Sequence, residues 1–222
     1  MADTGTQTPR ERYRAHVRAE IRERAWEQIA TAGASALSLN AIAKQMGMSG
    51  PALYRYCAGR DELITELVRE AYRSLADTFH AAAASESGAG PAAPVAVLAH
   101  ALRGWALDDP QRYFLVYGTP VPGYHAPDDV SGIASEIMTT LLDAYAASPP
   151  DGPEALRRAL TFWTRLHGLL SLELAGHFTG MDVDPALMFA AELDDLPPYR
   201  PGRDGDPGSG HDVDEPVPHR HH

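Results

Sequence analysis

Hydrogen-bond donors crowd a short stretch of this sequence, IAKQMGMSGPALYRYC, which runs from Ile42 to Cys57. Ser49, Tyr54 and Tyr56 carry hydroxyl groups, and Arg55 carries a guanidinium group. These groups can donate hydrogen bonds to the phosphate oxygens of a nucleic acid or to the edges of its bases. The stretch could therefore bind nucleic acid, and the alternative is that Tyr54 and Tyr56 are packing residues of a small helical bundle.

Two short helices would position these donors. Ser38 lies where an N-cap should be, directly before LNAIAKQM, and Gly47 ends that helix. Ser49 is a second N-cap candidate, and Pro51 falls in the first turn of the next helix, where its missing N–H costs nothing. We expect this next helix to reach Tyr56. Two helices joined by a glycine turn predict a helix-turn-helix, whose second helix enters the major groove of DNA.

Flanking helices must brace this pair, because its own core is small. Before it, apolar side chains at spacings of three or four predict a helix from residue 11 to Gly33. They are Val17, Ile21, Ala25, Ile29 and Ala30. After it, Asp61 begins a long helix over residues 61–84. Its apolar face would hold Leu63, Leu67, Ala71, Leu75 and Phe79.

The charge distribution supports this interpretation in part. The 222-residue chain has a net charge of −11, which alone argues against a nucleic-acid partner. Residues 1–60, however, hold nine Lys/Arg and five Asp/Glu, a net charge of +4, whereas the remainder carries −15. A basic end can face phosphates while an acidic body stays away from them. Because acidic bodies are common in proteins of any function, the asymmetry does not decide the question.

The remaining chain predicts further helices separated by connectors rich in Gly and Pro, with neither strand-like alternation nor an internal repeat. The predicted helices are 95–107, a short segment holding Tyr113, Phe114 and Tyr117, then 131–147, 154–177 and 185–193. Residues 1–10 and 196–222 are expected to be disordered. The sequence thus predicts an all-α protein with a helix-turn-helix domain at 11–60 and a larger helical domain at 61–195.

Composition also indicates a cellular compartment. Cys57 is the single cysteine, so no internal disulfide framework can form and a reducing setting is expected. The first ten residues show no apolar region of a signal peptide, and no run of about 18 apolar residues is present. We therefore expect a cytoplasmic protein without a membrane partner.

The stretch LSLNAIAKQMGMSGPALYRYCAGRDELITELV resembles the DNA-binding segment of the TetR family of bacterial transcriptional repressors. The matching positions are Ile42, Ala43, Gly47, Ser49, Leu53, Tyr54, Arg60, Glu62 and Leu63. Two positions depart from the family pattern. The frequent His-Phe pair is Tyr56-Cys57 here, and the frequent lysine is Arg60, which keeps the charge. Because Cys57 fills less volume than phenylalanine, the junction before the long helix should be repacked.

The resemblance implies a division of roles among the candidate residues. Contacts to the phosphate backbone would come from Ser38, Tyr54, Tyr56 and Arg60. Residues at or near base edges would be Lys44, Gly50, Pro51, Ala52 and Arg55, with Ser49 beside them at the start of the helix. Phosphate contacts set affinity and its salt dependence, whereas base contacts set sequence choice.

The larger half would pair two chains and bind a small effector, as the resemblance implies. Helix 154–177 is apolar nearly all round, and Gly168 and Gly176 would allow close approach of a second helix. With helix 185–193 it could form a homodimer that reads a palindromic site. FWTRLHGLLSLELAGHF also resembles a tryptophan–histidine–glycine signature of one C-terminal subgroup, with Trp163, His167 and Gly168. Candidate effector contacts are Trp105, Tyr113, Phe114, Tyr117, Phe162 and His167.

Two other classes of function were weighed. For an enzyme or a metal site, Glu173 and His177 could share a helix face, but the sequence holds no HExxH, GxSxG, P-loop or GxGxxG motif. No catalytic residue, metal or cofactor is therefore expected. A helical protein-interaction module with no role at DNA is the other alternative, and the positive first sixty residues count against it.

Overall fold

The structure is a computed structural model, and it describes residues 8–85, 93–145 and 153–194. The described residues form helices and no strand, so the all-α prediction is confirmed. The helices are α1 (Pro9–Ala32), α2 (Leu39–Gln45), α3 (Gly50–Leu53), α4 (Arg60–Ser85), α5 (Ala93–Asp108), α6 (Pro110–Tyr117), α7 (Asp128–Tyr145), α8 (Pro153–Leu174) and α9 (Pro185–Asp194), with a 3₁₀ turn at Ala34–Ala36.

Helix α1 begins at Pro9, two residues before the predicted start. The Thr8 N–H donates to Glu11 Oε2 at 2.8 Å, and the Glu11 N–H donates to Thr8 Oγ1 at 3.3 Å. This reciprocal capping box satisfies two N–H groups at the helix start, and Pro9 needs no partner at this position. The predicted disorder of residues 1–10 is therefore wrong for Pro9 and Arg10, which lie in α1. The rest of the predicted disorder, at residues 1–7 and 196–222, lies outside the described residues.

The first apolar cluster holds α1, α2, α3 and the first half of α4 together. Ile42, Leu53, Ile64 and Leu67 in it have no exposed surface, and Ile21 on α1 is also buried. Cys57 is buried among them as a free thiol. Val121 and Val130 of the larger half are also buried in this cluster, so α1, α4 and the region at the start of α7 together brace the helix-turn-helix.

The second apolar cluster lies among the second half of α4 and helices α5 to α9. Phe79, Leu102, Tyr113, Leu170 and Phe189 are its large buried side chains. Helix α4 contributes to both clusters, since Leu63 to Val68 belong to the first and Ala71 to Phe79 to the second. It therefore joins the helix-turn-helix to the larger half. No helix in the described ranges has the length and apolarity that a membrane crossing requires.

Helix α8 ends at Leu174, three residues before its predicted end. Gly176 has φ 76°, and the His177 N–H donates to Leu172 O at 3.0 Å. A residue in the left-handed region with this hydrogen bond ends a helix, and glycine takes that conformation without steric cost. Gly176 thus lies just after the end of α8, and its part in the close approach of a second helix stays a prediction.

Candidate nucleic-acid interface and effector site

Serine side chains start both helices of the helix-turn-helix. Ser38 Oγ accepts a hydrogen bond from the Ala41 N–H, and Ser49 Oγ accepts one from the Ala52 N–H, both at 3.4 Å. Each hydroxyl acts here as an acceptor, so its own proton stays available to an external acceptor such as a phosphate oxygen. The Ser38 N–H also donates to Gln28 Oε1 at 3.0 Å, which ties the start of α2 to α1.

Gly47 makes the tight turn between α2 and α3. Its φ is 65°, and the Met48 N–H donates to Ala43 O at 2.8 Å. A side chain at position 47 would be strained in this left-handed conformation. The turn brings the start of α3 beside α2, where Gly50 lies against Asn40 Oδ1.

The predicted reading surface faces solvent. Helix α3 ends at Leu53, three residues before its predicted end, and residues 54–56 form a turn directly after it. Pro51 in α3 and Tyr54 and Arg55 in this turn are exposed, and half of the Tyr54 surface is accessible. Lys44 is exposed on the neighbouring α2. Ser49 is exposed as well, and half-buried positions beside these residues are Gly50, Ala52 and Tyr56. Pro51, Tyr54 and Arg55 therefore make an outward ridge at the end of α3, which has no protein layer over it in the described chain.

Arg60 is placed differently from the other candidates. Its Nε donates to Leu37 O at 3.2 Å, and its Nη2 donates to Ala34 O at 3.1 Å and Ser35 O at 3.2 Å. These bonds hold the 3₁₀ turn before α2 against the start of α4, and only Nη1 is left to face a ligand, with Asp61 Oδ1 3.9 Å away. This geometry favours a positioning role, and a direct phosphate contact by Arg60 stays a prediction.

The structure adds Arg14, an exposed residue that the sequence pattern alone did not single out as a candidate. Its Nη2 lies 3.5 Å from Arg55 O, so α1 contacts the end of α3 directly. The sequence does contain a signal for this contact, because Arg14 continues the buried stripe of Val17 and Ile21 at helical spacing. A residue one turn before that stripe must lie near the element that the stripe packs against.

Only part of the predicted effector set comes together. Tyr113, Tyr117 and His167 meet, and Trp163 joins them, with ring centroids 4.2 Å apart for Tyr117–His167 and 4.3 Å for Trp163–His167. The other three candidates show no ring contact with His167 among the described residues. Trp105 donates from Nε1 to Ser74 Oγ at 3.1 Å, Phe162 packs on Tyr145, and Phe114 is exposed although its ring touches Tyr113.

The centre of this cluster is polar but uncharged. Tyr113 Oη lies 3.0 Å from His167 Nδ1, 3.2 Å from His167 O and 2.9 Å from Ser171 Oγ. Burial lowers the pKa of His167 to about 4, so the imidazole is neutral near pH 7. Burial also raises the pKa of Tyr113 and Tyr117. His167 Nε2 has no hydrogen-bond partner among the described residues.

Acid should destabilise the fold through His167. The unfolded imidazole has a pKa of 6.5 and the folded one about 4, so between these values the unfolded state binds more protons. The free energy of unfolding should thus fall by about 3 kcal/mol as pH drops from 7 to 4. Urea unfolding of the wild type and of His167→Asn between pH 7 and 4 measures this fall in the free energy of unfolding. Asparagine is the chosen replacement because it keeps an acceptor near the position of Nδ1 and does not titrate. The exposed His125→Asn is the control, and identical profiles for all three would contradict the assignment.

An open groove lies elsewhere in the described chain. It has a volume of about 680 Å³ and runs between α4, α5 and α7. Its walls include His80, Leu98, Glu136, Thr139 and Asp143. None of the six predicted effector residues lines it. The aromatic cluster and the groove are therefore two separate places in the larger half.

Comparison with known proteins identifies the fold and the family. Residues 21–67 match the family model for "Bacterial regulatory proteins, tetR family". Residues 95–196 match the model for "Tetracyclin repressor-like, C-terminal domain". The HTH-type transcriptional regulator Rv1816 of Mycobacterium tuberculosis is 35% identical over 210 residues, which cover 81% of this chain and 90% of the relative.

Solved structures are also similar to this chain. The crystal structure of SCO4313 is 63% identical, with a TM-score of 0.76, and covers 85% of this chain and 98% of that chain. A TetR variant from Acinetobacter baumannii AYE, solved in complex with minocycline, shares the fold at 16% identity and a TM-score of 0.53, over 78% of this chain and 90% of that one. The family is non-enzymatic, which confirms the expectation that the chain is not an enzyme. The chain belongs to the TetR family of bacterial regulatory proteins and is a transcriptional regulator with a TetR DNA-binding domain.

Proposed function

We propose that the protein is a homodimeric cytoplasmic repressor, which binds a palindromic operator and leaves it when a small apolar ligand enters its C-terminal domain. Residues 11–60 would form the reading domain and residues 61–195 the effector and pairing domain. The outward ridge at α3 carries the proposal, because Pro51 in α3 and Tyr54 and Arg55 directly after it are exposed where a recognition helix would meet the major groove.

The reading surface suggests how the contacts divide. Tyr54, Tyr56 and the capping hydroxyl of Ser38 would bind phosphates, while Arg55 and Lys44 would donate to base edges. Pro51 and Ala52 offer only apolar contact, which suits a thymine methyl group. Because Arg60 is held by backbone carbonyls, its part would be to fix the start of α2 and α4 under this surface.

An exposed apolar face supports pairing of two chains. Leu156, Leu160 and Leu172 on α8 are exposed at spacings that are multiples of four, and Gly168 lies on the same ridge. On α9, Leu187 is 69% exposed and Met188 is also exposed. Two such faces related by a twofold axis would bury each other's leucines, which favours an isologous dimer. The two reading surfaces would then meet successive major grooves, roughly 34 Å apart.

The aromatic cluster supports an uncharged effector. Its imidazole is neutral near pH 7, and its tyrosines hold their protons, so it offers rings and hydrogen bonds but no charge. A relative of the same fold was solved with minocycline, which supports a small organic ligand in this family. Such a ligand can shift the regulator off DNA only if it binds the released state more tightly than the DNA-bound state.

Removal of the Arg55 guanidinium should weaken and broaden DNA recognition. Duplexes selected from a random pool by the wild-type protein supply the operator, and mobility shifts over a salt series measure affinity. Arg55→Ala should cost about 1–3 kcal/mol and relax the preference at one base position. Arg73→Ala on α4 removes an equal charge far from α3 and should bind as wild type does. Failure of the wild type to select any duplex, even at low salt, would contradict the proposal.

A further inference from the structure

Among the described residues, two partly buried side chains pack against both apolar clusters. Trp26 on α1 and Tyr72 on α4 are half-buried, and each packs against both the first and the second cluster. Helix α4 runs through both clusters, and Tyr72 lies on it where the first cluster gives way to the second. Trp26 is different, because it belongs to the helix-turn-helix half and reaches the larger half from α1.

Arg112 on α6 meets Trp26 at this border. Its guanidinium carbon lies 5.7 Å from the centroid of the Trp26 ring. The same guanidinium group places Nη2 3.6 Å from Glu70 Oε1 and Nη1 3.5 Å from Ser74 Oγ, both on α4. Oδ2 of Asp109, the N-cap of α6, lies 3.0 Å from Arg112 Nε. One side chain of the larger half thus contacts α1, α4 and α6 together.

Glu70 extends this connection back to α1. Its Oε2 lies 3.4 Å from Arg22 Nε, whereas its Oε1 faces Arg112. Arg22 stands one helical turn before Trp26. The carboxylate therefore lies between a guanidinium of the reading half and a guanidinium of the larger half. Helix α1 is held at Trp26 directly and at Arg22 through Glu70.

We propose that Arg112 is a positioning residue that fixes the angle between α1 and the larger half, and so sets the separation of the two reading surfaces in the dimer. The inference rests on the proposed function, since it needs two surfaces on one operator. Helices α2 and α3 pack on α1, so a change in the angle of α1 moves the ridge at Arg55 with it. Arg112 itself is remote from that ridge and acts through Trp26 and Glu70.

This role predicts a different effect on two duplexes. A fixed angle holds the second surface over its half-site once the first has bound, which raises its effective concentration there. Arg112→Ala should lower affinity for the two-half-site operator about tenfold, because a looser α1 must be ordered on binding. Affinity for a duplex with one half-site scrambled should stay within about twofold, because one surface needs no defined partner.

Mobility shifts with both duplexes test this, with Arg73→Ala as the matched control. Arg73 has a comparable ion pair, 2.7 Å from Nη1 to Glu136 Oε2, but it joins α4 to α7 and not to α1. The inference is overturned if Arg112→Ala loses affinity equally for the two duplexes, or loses none for either. It is also overturned if Arg73→Ala gives the same ratio of the two affinities as Arg112→Ala. A monomeric Arg112→Ala in light scattering would do so too. A wild type that shows no preference for the two-half-site duplex would instead refute the proposed dimeric operator binding.

Trp26→Phe tests the route through α1. Phenylalanine keeps an apolar ring at the border but offers a smaller surface to the guanidinium. The quantity to compare is the ratio of the affinity for the two-half-site duplex to that for the one-half-site duplex. If Arg112 acts through Trp26, Arg112→Ala should change this ratio by about threefold in the Trp26→Phe background, rather than about tenfold as in the wild-type background. Full additivity of the two changes would show that Arg112 works without Trp26 and would overturn this part of the inference.

Discussion

Gly168→Glu should make the protein monomeric and weaken binding to its two-half-site operator by about a hundredfold or more. Gly168 lies in the exposed ridge of α8, between Leu160 and Leu172. Under the proposed pairing, this position faces its symmetry mate near the twofold axis. Two carboxylates there would lose water and repel each other, and loss of the dimer removes the gain from binding two half-sites at once, which is about 10²–10⁴ in affinity.

The substitution should leave the single chain intact. A Cβ at Gly168 would meet no atom within 4 Å in the described structure, and the residue is helical without a positive φ. Glutamate is also a better helix former than glycine by roughly 0.5–1 kcal/mol. Unfolding of the variant should thus show a fold at least as stable as that of the single wild-type chain, and any loss of DNA binding would come from the contact between chains.

Light scattering and mobility shifts measure both effects, and Gly132→Glu is the matched control. Gly132 on α7 is helical, exposed and open around its Cβ, and the substitution adds the same charge, but it lines the groove away from α8. This control should remain dimeric and bind the operator. A dimeric Gly168→Glu with wild-type affinity would show that α8 does not pair the chains through this ridge.

Local signals allowed much of the fold to be predicted. The serines at 38 and 49 act as N-caps where expected, and the buried stripe of α1 contains Val17, Ile21, Ala25 and Ile29 as predicted. Ala30, which was also predicted in this stripe, is exposed. These features depend on residues within one or two turns of each other. The capping box from Thr8 to Glu11 is equally local, and a search for Ser or Thr followed three residues later by Glu would have placed the start of α1 correctly.

Roles that depend on distant partners were harder to predict. Arg60 resembles a phosphate-binding residue in sequence, but carbonyl groups more than twenty positions earlier accept hydrogen bonds from its Nε and Nη2. Six aromatic and histidine residues looked equivalent as effector contacts, yet helix packing brings only Tyr113, Tyr117 and His167 to one centre. Residue type indicates what a side chain can do, whereas tertiary packing decides what it meets. The resemblance of Trp163, His167 and Gly168 to one subgroup signature stays a prediction.

A second large effect is expected at the ion pair between α5 and α8. Arg103 Nη2 lies 2.5 Å from Glu173 Oε1, and the two side chains are only 21% and 13% exposed. The Arg103 guanidinium carbon also lies 5.5 Å from the centroid of the Phe189 ring, so the pair supports α9 as well. Glu173→Ala would leave this guanidinium without its carboxylate in a mostly buried place. The free energy of unfolding should fall by about 3 kcal/mol.

The same structure predicts that apolar replacement of the whole pair is tolerated. Arg103 Nε and Glu173 Oε2 have no hydrogen-bond partner within the described chain, so part of the cost of removing these charges from water is not compensated. The double variant Arg103→Met, Glu173→Leu should therefore recover to within about 1 kcal/mol of the wild type, since it leaves no buried charge unpaired. The double variant should thus lose far less free energy of unfolding than the two single variants lose in sum, and this non-additivity is what a coupled ion pair predicts.

Urea unfolding of the two single variants and the double variant measures these energies. Glu136→Ala is the control, because Glu136 pairs with Arg73 at 2.7 Å while both side chains are more than 40% exposed. Water screens that pair, so its loss should cost less than about 1 kcal/mol. Because Phe189 anchors α9 beside Arg103, Glu173→Ala should also weaken dimerisation in light scattering. Equal costs for Glu173→Ala and Glu136→Ala would mean that burial does not strengthen the Arg103–Glu173 pair.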